Sequence, residues 1–323
     1  MEQGEEVKTT IPPGVEIQER GEIYFFYRPK VGKEEAHGSD DVQRMYIILR
    51  PHHHSSIQLL QQDAKEEEEE EEVKKEKKEK EVVRLIVMGR KQLPDPKQKK
   101  SRRPFWGFVE LVTNNIQDVK DALKGEEYYT KKSGHRHQAP ARALGEGIYS
   151  ILKHHININN NKKKMHTHLV YKLQLPPTNI NIKDPQEALN VEREASFLIQ
   201  IKNPIINKEE EEEEEAGGSP PKKKKMKKMK KQEAVFPGHL QAEFGKLGYH
   251  AADPPEFLNY QGCEFLLISA SDDIQQELGL ELKLPHDDDD DDDDDGMDAS
   301  CSDLVNTFGD LAPTDALLKG IWV

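Results

Sequence analysis

The chain has little cysteine, few aromatic residues and no long hydrophobic run, and each shortage closes off a class of protein. Two cysteines in 323 residues, Cys263 and Cys301, are too few for a disulfide framework. A reducing intracellular setting is therefore expected, either nucleus or cytoplasm. Cys263 opens an apolar run and reads as a small buried hydrophobe. That run, Cys263 to Ala270, is the longest of its kind and already contains Glu264. It falls well short of the roughly 18 uninterrupted apolar residues of a membrane helix, so no membrane partner is expected. Met1 to Thr10 is acidic and polar, with no visible leader peptide.

Motifs for chemistry are missing as well. No GxxxxGK(S/T) or GxGxxG phosphate loop, GxSxG elbow, HExxH or CxxC occurs anywhere. No catalytic residue, metal or cofactor is therefore assigned.

Charge is abundant, and it is unevenly placed. Three acidic runs (Glu66 to Glu72, Glu209 to Glu215, Asp287 to Asp295), with Glu76, Glu79 and Glu81, hold 26 acidic residues, and two lysine-rich runs (Lys74 to Lys80, Lys222 to Lys231) hold 13 basic ones. Without them 34 basic and 35 acidic residues remain, so the net charge of −14 belongs to tracts and tails. The rest of the chain is nearly neutral, which gives nucleic acid only weak support as a partner.

Between the tracts lie eight short segments rich in β-branched and aromatic residues: Ile23–Tyr27, Met45–Leu49, Val82–Met88, Phe105–Val112, Ile148–Leu152, His168–Leu175, Ser196–Ile201 and Glu264–Ile268. In His168–Leu175, Leu169, Tyr171, Leu173 and Leu175 alternate with Val170, Lys172 and Gln174, the mark of one buried face. Ile23–Tyr27 and Glu264–Ile268 are apolar on both faces and should be central.

The order of segments repeats. Gly21-Glu22-Ile23-Tyr24 opens one set of four and Gly145-Glu146-Gly147-Ile148-Tyr149 the other, which places Glu22 and Glu146 at matching positions. Each set runs into a short helix. Asn114 or Asn115 can cap a helix with Ile116, Val119 and Leu123 on its apolar face, and Ser271 or Asp272 one with Ile274 and Leu278. The fold expected is mainly β (α+β): two degenerate ββββα repeats about a pseudo-two-fold axis, packed as a sheet, sandwich or barrel-like unit. The organisation expected is a disordered start at 1–14, a first repeat at 15–125 with a charged insertion at 52–81, and a polar connector at 126–143. A second repeat then covers 144–283, with low-complexity insertions at 154–165 and 206–233, and an acidic tail covers 284–323. The insertions are too polar to offset the entropy of ordering and read as solvated loops or disorder.

Candidate binding residues cluster around the connector. His135, Arg136 and His137, with Arg142, Glu146 and His168, combine imidazoles, guanidiniums and glycines that permit close backbone approach, a set able to hold an anion or, through paired His-x-His motifs, a metal. Solvated loop histidines and an ordered crossover explain the same residues more simply. Pro220-Pro221 leads into Lys222, Lys223, Lys224, Lys225, Lys227 and Lys228, the extended cationic form read by nuclear import receptors, or else a solubilising counterpart to the acidic run before it. In the tail, Leu317, Leu318, Ile321 and Trp322 form an apolar stripe that can enter a partner's groove or dock on the chain's own core.

The stretch Arg20 to Val31, with His166-Thr167-His168-Leu169-Val170-Tyr171, Gly145 to Tyr149, Ala195 to Pro204 and Cys263 to Leu267, resembles a family met in plants and fungi. The likeness spans about residues 16–282, and fungal members often carry the label "BTB domain transcription factor". The label implies a compact α/β unit with several consecutive long helices; the chain contains no such helical run. Two functions are carried forward. One is a non-enzymatic interaction or scaffold protein, nuclear and regulatory, with protein partners that include basic proteins held through the acidic tracts. The other is a small-molecule- or metal-binding protein or enzyme with its site at the junction of the repeats.

Overall fold

All eight segments become strands of one closed barrel in a computed structural model of the chain, which describes residues 14–52, 82–97, 103–158, 162–176, 184–205, 233–271, 273–278, 282, 307–308 and 313–323. The first set supplies β1 (Val15–Pro29), β2 (Val42–Pro51), β3 (Val83–Met88), β4 (Phe105–Thr113) and α1 (Ile116–Leu123). A hairpin of β5 (Glu126–Thr130) and β6 (Gly134–Gln138) follows. The second set supplies β7 (Arg142–Ile158), β8 (Lys162–Leu175), α2 (Asp184–Ala188), β9 (Glu194–Lys202), α3 (Gly238–Glu243), β10 (Tyr249–Ala251), β11 (Glu264–Ser271) and α4 (Ile274–Leu278), and the chain finishes on α5 (Asp315–Lys319). Among the described residues no helix exceeds the eight residues of α1, so the successive long helices of a BTB unit have no counterpart there.

The barrel runs β1-β2-β3-β4-β11-β9-β8-β7 and back to β1, every pairing antiparallel, with β10 added to the end of β9. Each set is a four-stranded meander, and the sets meet twice, at β1–β7 and β4–β11. The mouth where β1 begins is called mouth A and the mouth where it ends mouth B.

Inward residues are apolar and large: Ile23, Phe25 and Tyr27 from β1, Ile47 and Leu49 from β2, Tyr149 and Ile151 from β7, Phe197 from β9 and Phe265 from β11, all in one core. The outer faces are covered in a related way. Asn115 caps α1 by accepting from the Gln117 amide, and Val119 and Leu123 press on Phe26, Ile48 and Leu85. In the second set Ser271 Oγ accepts from the Asp273 amide, and Ile274 and Leu278 press on Leu152 and Val170. The outer face of β11 stays partly open: Leu266 and Ile268 are half-buried, so this strand is not sandwiched as its composition suggests.

The pseudo-two-fold axis corrects the alignment of the repeats. An added Cβ on Gly21 would lie 2.1 Å from the Arg50 carbonyl and 2.7 Å from Pro51 Cα; one on Gly147 would lie 2.1 Å from the Lys172 carbonyl and 2.8 Å from Leu173 Cα. These matching close approaches make Gly147, not Gly145, the counterpart of Gly21. The dyad then passes through the Glu22↔Ile148 pair, and Glu22 corresponds to Ile148 rather than to Glu146.

Two expected loops are ordered strand. Residues 154–158 and 162–165 extend β7 and β8, with pairing from His154↔His166 to Ile158↔Lys162; the ladder continues because each added pair satisfies two more backbone groups. The connector folds as β5–β6, its turn helped by Gly134 at φ 66.

Both mouths are closed by the chain. Phe236, Phe244 and Phe257 stack edge and face at mouth A, with centroids 5.1–5.8 Å apart. At mouth B Leu93, Leu189 and Val191 join the core, tied by Leu93 N–H to Leu189 O at 3.0 Å. The tail segment docks there on the chain's own core: Ala316 and Leu317 are fully buried, and Trp322 meets Tyr27 edge-on at 5.4 Å. Leu318 and Ile321 of the apolar stripe stay exposed. Gly147→Ala should lower unfolding stability by about 1–3 kcal/mol in denaturant titration, the range for overpacking, whereas Gly32→Ala, with open space around its Cβ, should lose about 1–2 kcal/mol from its positive φ alone.

Candidate functional site

Polar groups inside the barrel gather at its two mouths, and the two sets are built differently. At mouth A, Arg84 points inward from β3, otherwise apolar around it as Val83, Leu85, Ile86 and Val87. Its Nη1 and Nη2 donate to the two carboxylate oxygens of Glu19 at 2.6 and 2.8 Å, and Nε donates to Asn259 Oδ1 at 2.8 Å. Tyr149 OH donates to Glu19 Oε1 at 2.8 Å. Burial alone would weaken the Arg84 charge, but Glu19 more than offsets it, so the pKa is raised. Every nitrogen of this guanidinium has a partner. A lone arginine in an apolar strand was the sequence signal for this cluster; its partner Glu19 was not legible.

At mouth B, Arg142 enters β7 opposite Tyr27 of β1. Its Nη2 donates to the Glu34 carbonyl at 2.6 Å and Nη1 to the Pro140 carbonyl at 3.5 Å. Burial lowers its pKa, against the pull of Tyr27, Glu34 and Glu35. Tyr27 OH donates to Val323 O at 2.9 Å and lies 3.2 Å from Val323 N–H, while Ala36 N–H donates to Val323 O at 3.2 Å. Burial pushes the Tyr27 hydroxyl up to about 12. Gln186, fully buried, donates to the carbonyls of Leu144 and Ala316, both at 2.9 Å.

The six candidate residues named from the sequence divide into four places. His137 joins Arg142 at mouth B: its Nε2 lies 3.1 Å from Glu34 Oε1, and its carbonyl accepts from Gly32 N–H at 2.8 Å. His135 and Arg136 project from the hairpin, His135 edge-on to Tyr129 at 5.2 Å. Glu146 is buried on β7 opposite Tyr24. His168 lies far off, paired with Leu152, ten residues along β7 from Arg142 and so about 33 Å away at the rise of a strand.

His168 is buried on the outer face of β8, its Nδ1 3.0 Å from Ser196 Oγ and its ring 5.7 Å from that of His154. The sequence pairs it with His166; the fold adds His154, opposite His166 across the ladder. Among the described residues, no group of three histidine, cysteine or carboxylate side chains is placed to hold a metal. Cys263 is buried, and burial raises its thiol pKa. Lys222, Lys223, Lys224, Lys225, Lys227 and Lys228 lie outside the described residues. Among those described, no helix is long and apolar enough to cross a membrane. Comparison with family profiles, with curated proteins and with solved structures finds no match.

Burial, aided by repulsion from His154 and His166, pushes His168 from 6.5 down to about 3. Between those values the unfolded chain holds a proton that the folded chain lacks, so stability falls as pH drops below 6.5. The slope is about 1.4 kcal/mol per pH unit for this residue. Urea titrations at pH 7 and pH 5 should show the native chain losing about 2 kcal/mol more over that interval than His168→Gln.

Proposed function

We propose that the chain is a non-enzymatic interaction protein, a filled barrel whose two Glu/Lys tracts are rooted at one end. The observation that supports this is where the tracts attach. β2 ends and β3 begins at mouth A, β7 turns into β8 there, and β9 ends there. Residues 53–81, 159–161 and 206–232, which fill those connections in sequence, are thus all rooted at mouth A. Long connections are thermodynamically tolerated anywhere on a barrel; gathering the Glu/Lys tracts at one end concentrates their charge. The dyad exchanges the mouths, so the three insertions sit in connections that are not equivalent between the repeats.

A packed interior also suits a scaffold better than a carrier, since ligand barrels keep a cavity. Dense like-charge tracts recruit partners of opposite sign with affinities that fall with salt. The acidic runs are suited to basic proteins, and the Pro-Pro-led lysines to nuclear import.

Two measurements test this on the full chain. A fluorescent lysine-rich peptide should bind with steep salt dependence, and deleting Glu209 to Glu215 together with Asp287 to Asp295 should weaken it at least tenfold. An apolar probe dye should not bind the native chain. Stoichiometric dye binding, or peptide affinity indifferent to the deletion, overturns the reading. A tagged chain that stays cytosolic with or without Lys222 to Lys231 removes its nuclear part.

A further inference from the structure

Three arginines are buried among the described residues, Arg28, Arg84 and Arg142. A buried cation is stable only when its charge and its donors are met by the protein or by something it binds. Arg84 is met in full by Glu19 and Asn259. Arg28 has no carboxylate partner among the described residues, yet it donates to the Ala122 and Lys124 carbonyls at the end of α1, at 2.7 and 3.2 Å. Its guanidinium also lies over the Tyr46 ring at 5.5 Å. The negative end of a helix and an aromatic face both compensate a cation.

Arg142 has neither device. It is 6% exposed, and its acceptors are two isolated backbone carbonyls, one of them at the limit of hydrogen-bond reach. Its Nε, like that of Arg28, is buried with no hydrogen-bond partner among the described residues. The carboxylate of Glu34, the residue whose carbonyl it touches, is 73% exposed and directed to His137. Among the described residues Glu35 also pulls on the Arg142 charge, as does the Tyr27 hydroxyl, whose own pKa is pushed up to about 12.

We propose that mouth B is an anion-binding site in which the Arg142 guanidinium receives a carboxylate or phosphate group of a ligand. The inference goes beyond the interaction reading and does not depend on it, because it rests on the surroundings of Arg142 and not on the charged tracts. The Nη1 of Arg142 holds its acceptor only at the limit of reach, and a two-oxygen anion is the group whose geometry matches a guanidinium fork. The segment around Trp322 and Val323 lies over the same mouth, held through Tyr27 and Ala36, and would shield the bound charge from water.

The test uses the full chain at constant ionic strength in chloride buffer. Thermal unfolding is followed while inorganic phosphate, and separately succinate, replaces chloride. The native chain should show saturable stabilisation by at least one of them; which one identifies the group preferred. Arg142→Gln should weaken that response at least tenfold, and Arg142→Lys, which keeps the charge and loses the fork, should weaken it severalfold. Arg142→Met separates binding from structure: removing an uncompensated buried charge should leave the anion-free chain as stable as before or more so, yet unresponsive to either anion. The proposal is overturned if neither anion stabilises the native chain saturably. It is equally overturned if the response survives in Arg142→Gln, or in Arg142→Met should the glutamine variant fail to fold.

Discussion

The molecule depends on two strand pairings, β1 with β7 and β4 with β11. Each four-stranded meander alone would present two open edges and one uncovered apolar face. Joined edge to edge, the two meanders leave no barrel edge unpaired, and the inward faces of both become one core. The β1–β7 pairing extends from Val15↔His154 to Tyr27↔Arg142. Pairing of this range is expensive in chain entropy, since it joins residues more than a hundred positions apart. The apolar lining has to repay it, which accounts for the aromatic density along β1, where Tyr24, Phe25, Phe26 and Tyr27 are all buried.

Much of this was legible in residue patterns. The alternation of Leu169, Tyr171 and Leu173 gave the right inward face of β8, and Asn115 with its apolar i, i+3, i+7 successors gave α1 with its cap. Duplication was legible because both sets keep their order of elements. The register of the repeats was not: Gly145 and Gly147 are equally good matches to Gly21 as letters, and only the close approach to the neighbouring carbonyl distinguishes them. The β5–β6 hairpin was hidden because its residues, Glu126 to Gln138, are as polar as a loop; two strands that bury almost nothing leave no hydrophobic period to read.

The candidate residues show the same limit from the other side. Arg142 and His137 were named for their chemistry, and the fold brings them to one mouth through the Glu34 loop. His168 was named on the same grounds and lies at the far end of the same strand pair. Chemical type and sequence proximity carried no information about position along a strand, where a few residues separate opposite ends of a domain. Arg84 and Glu19 were overlooked because their partnership spans three strands, a distance no local pattern encodes.

The exchange of mouths by the pseudo-dyad has a consequence for how such a chain can vary. A connection lengthened in one repeat and its counterpart lengthened in the other emerge at opposite poles, so growth confined to one pole requires different connections in each copy. That is the pattern here: the strand ends that the Glu/Lys tracts join belong to the pole opposite Arg142. The barrel thereby acts as a spacer of about 40 Å along β7, from Arg142 to His154. Beyond a few screening lengths the charge at one pole is not felt at the other. Tract length and sign can then drift without disturbing the compact pole, and the two ends are free to answer to different selective demands.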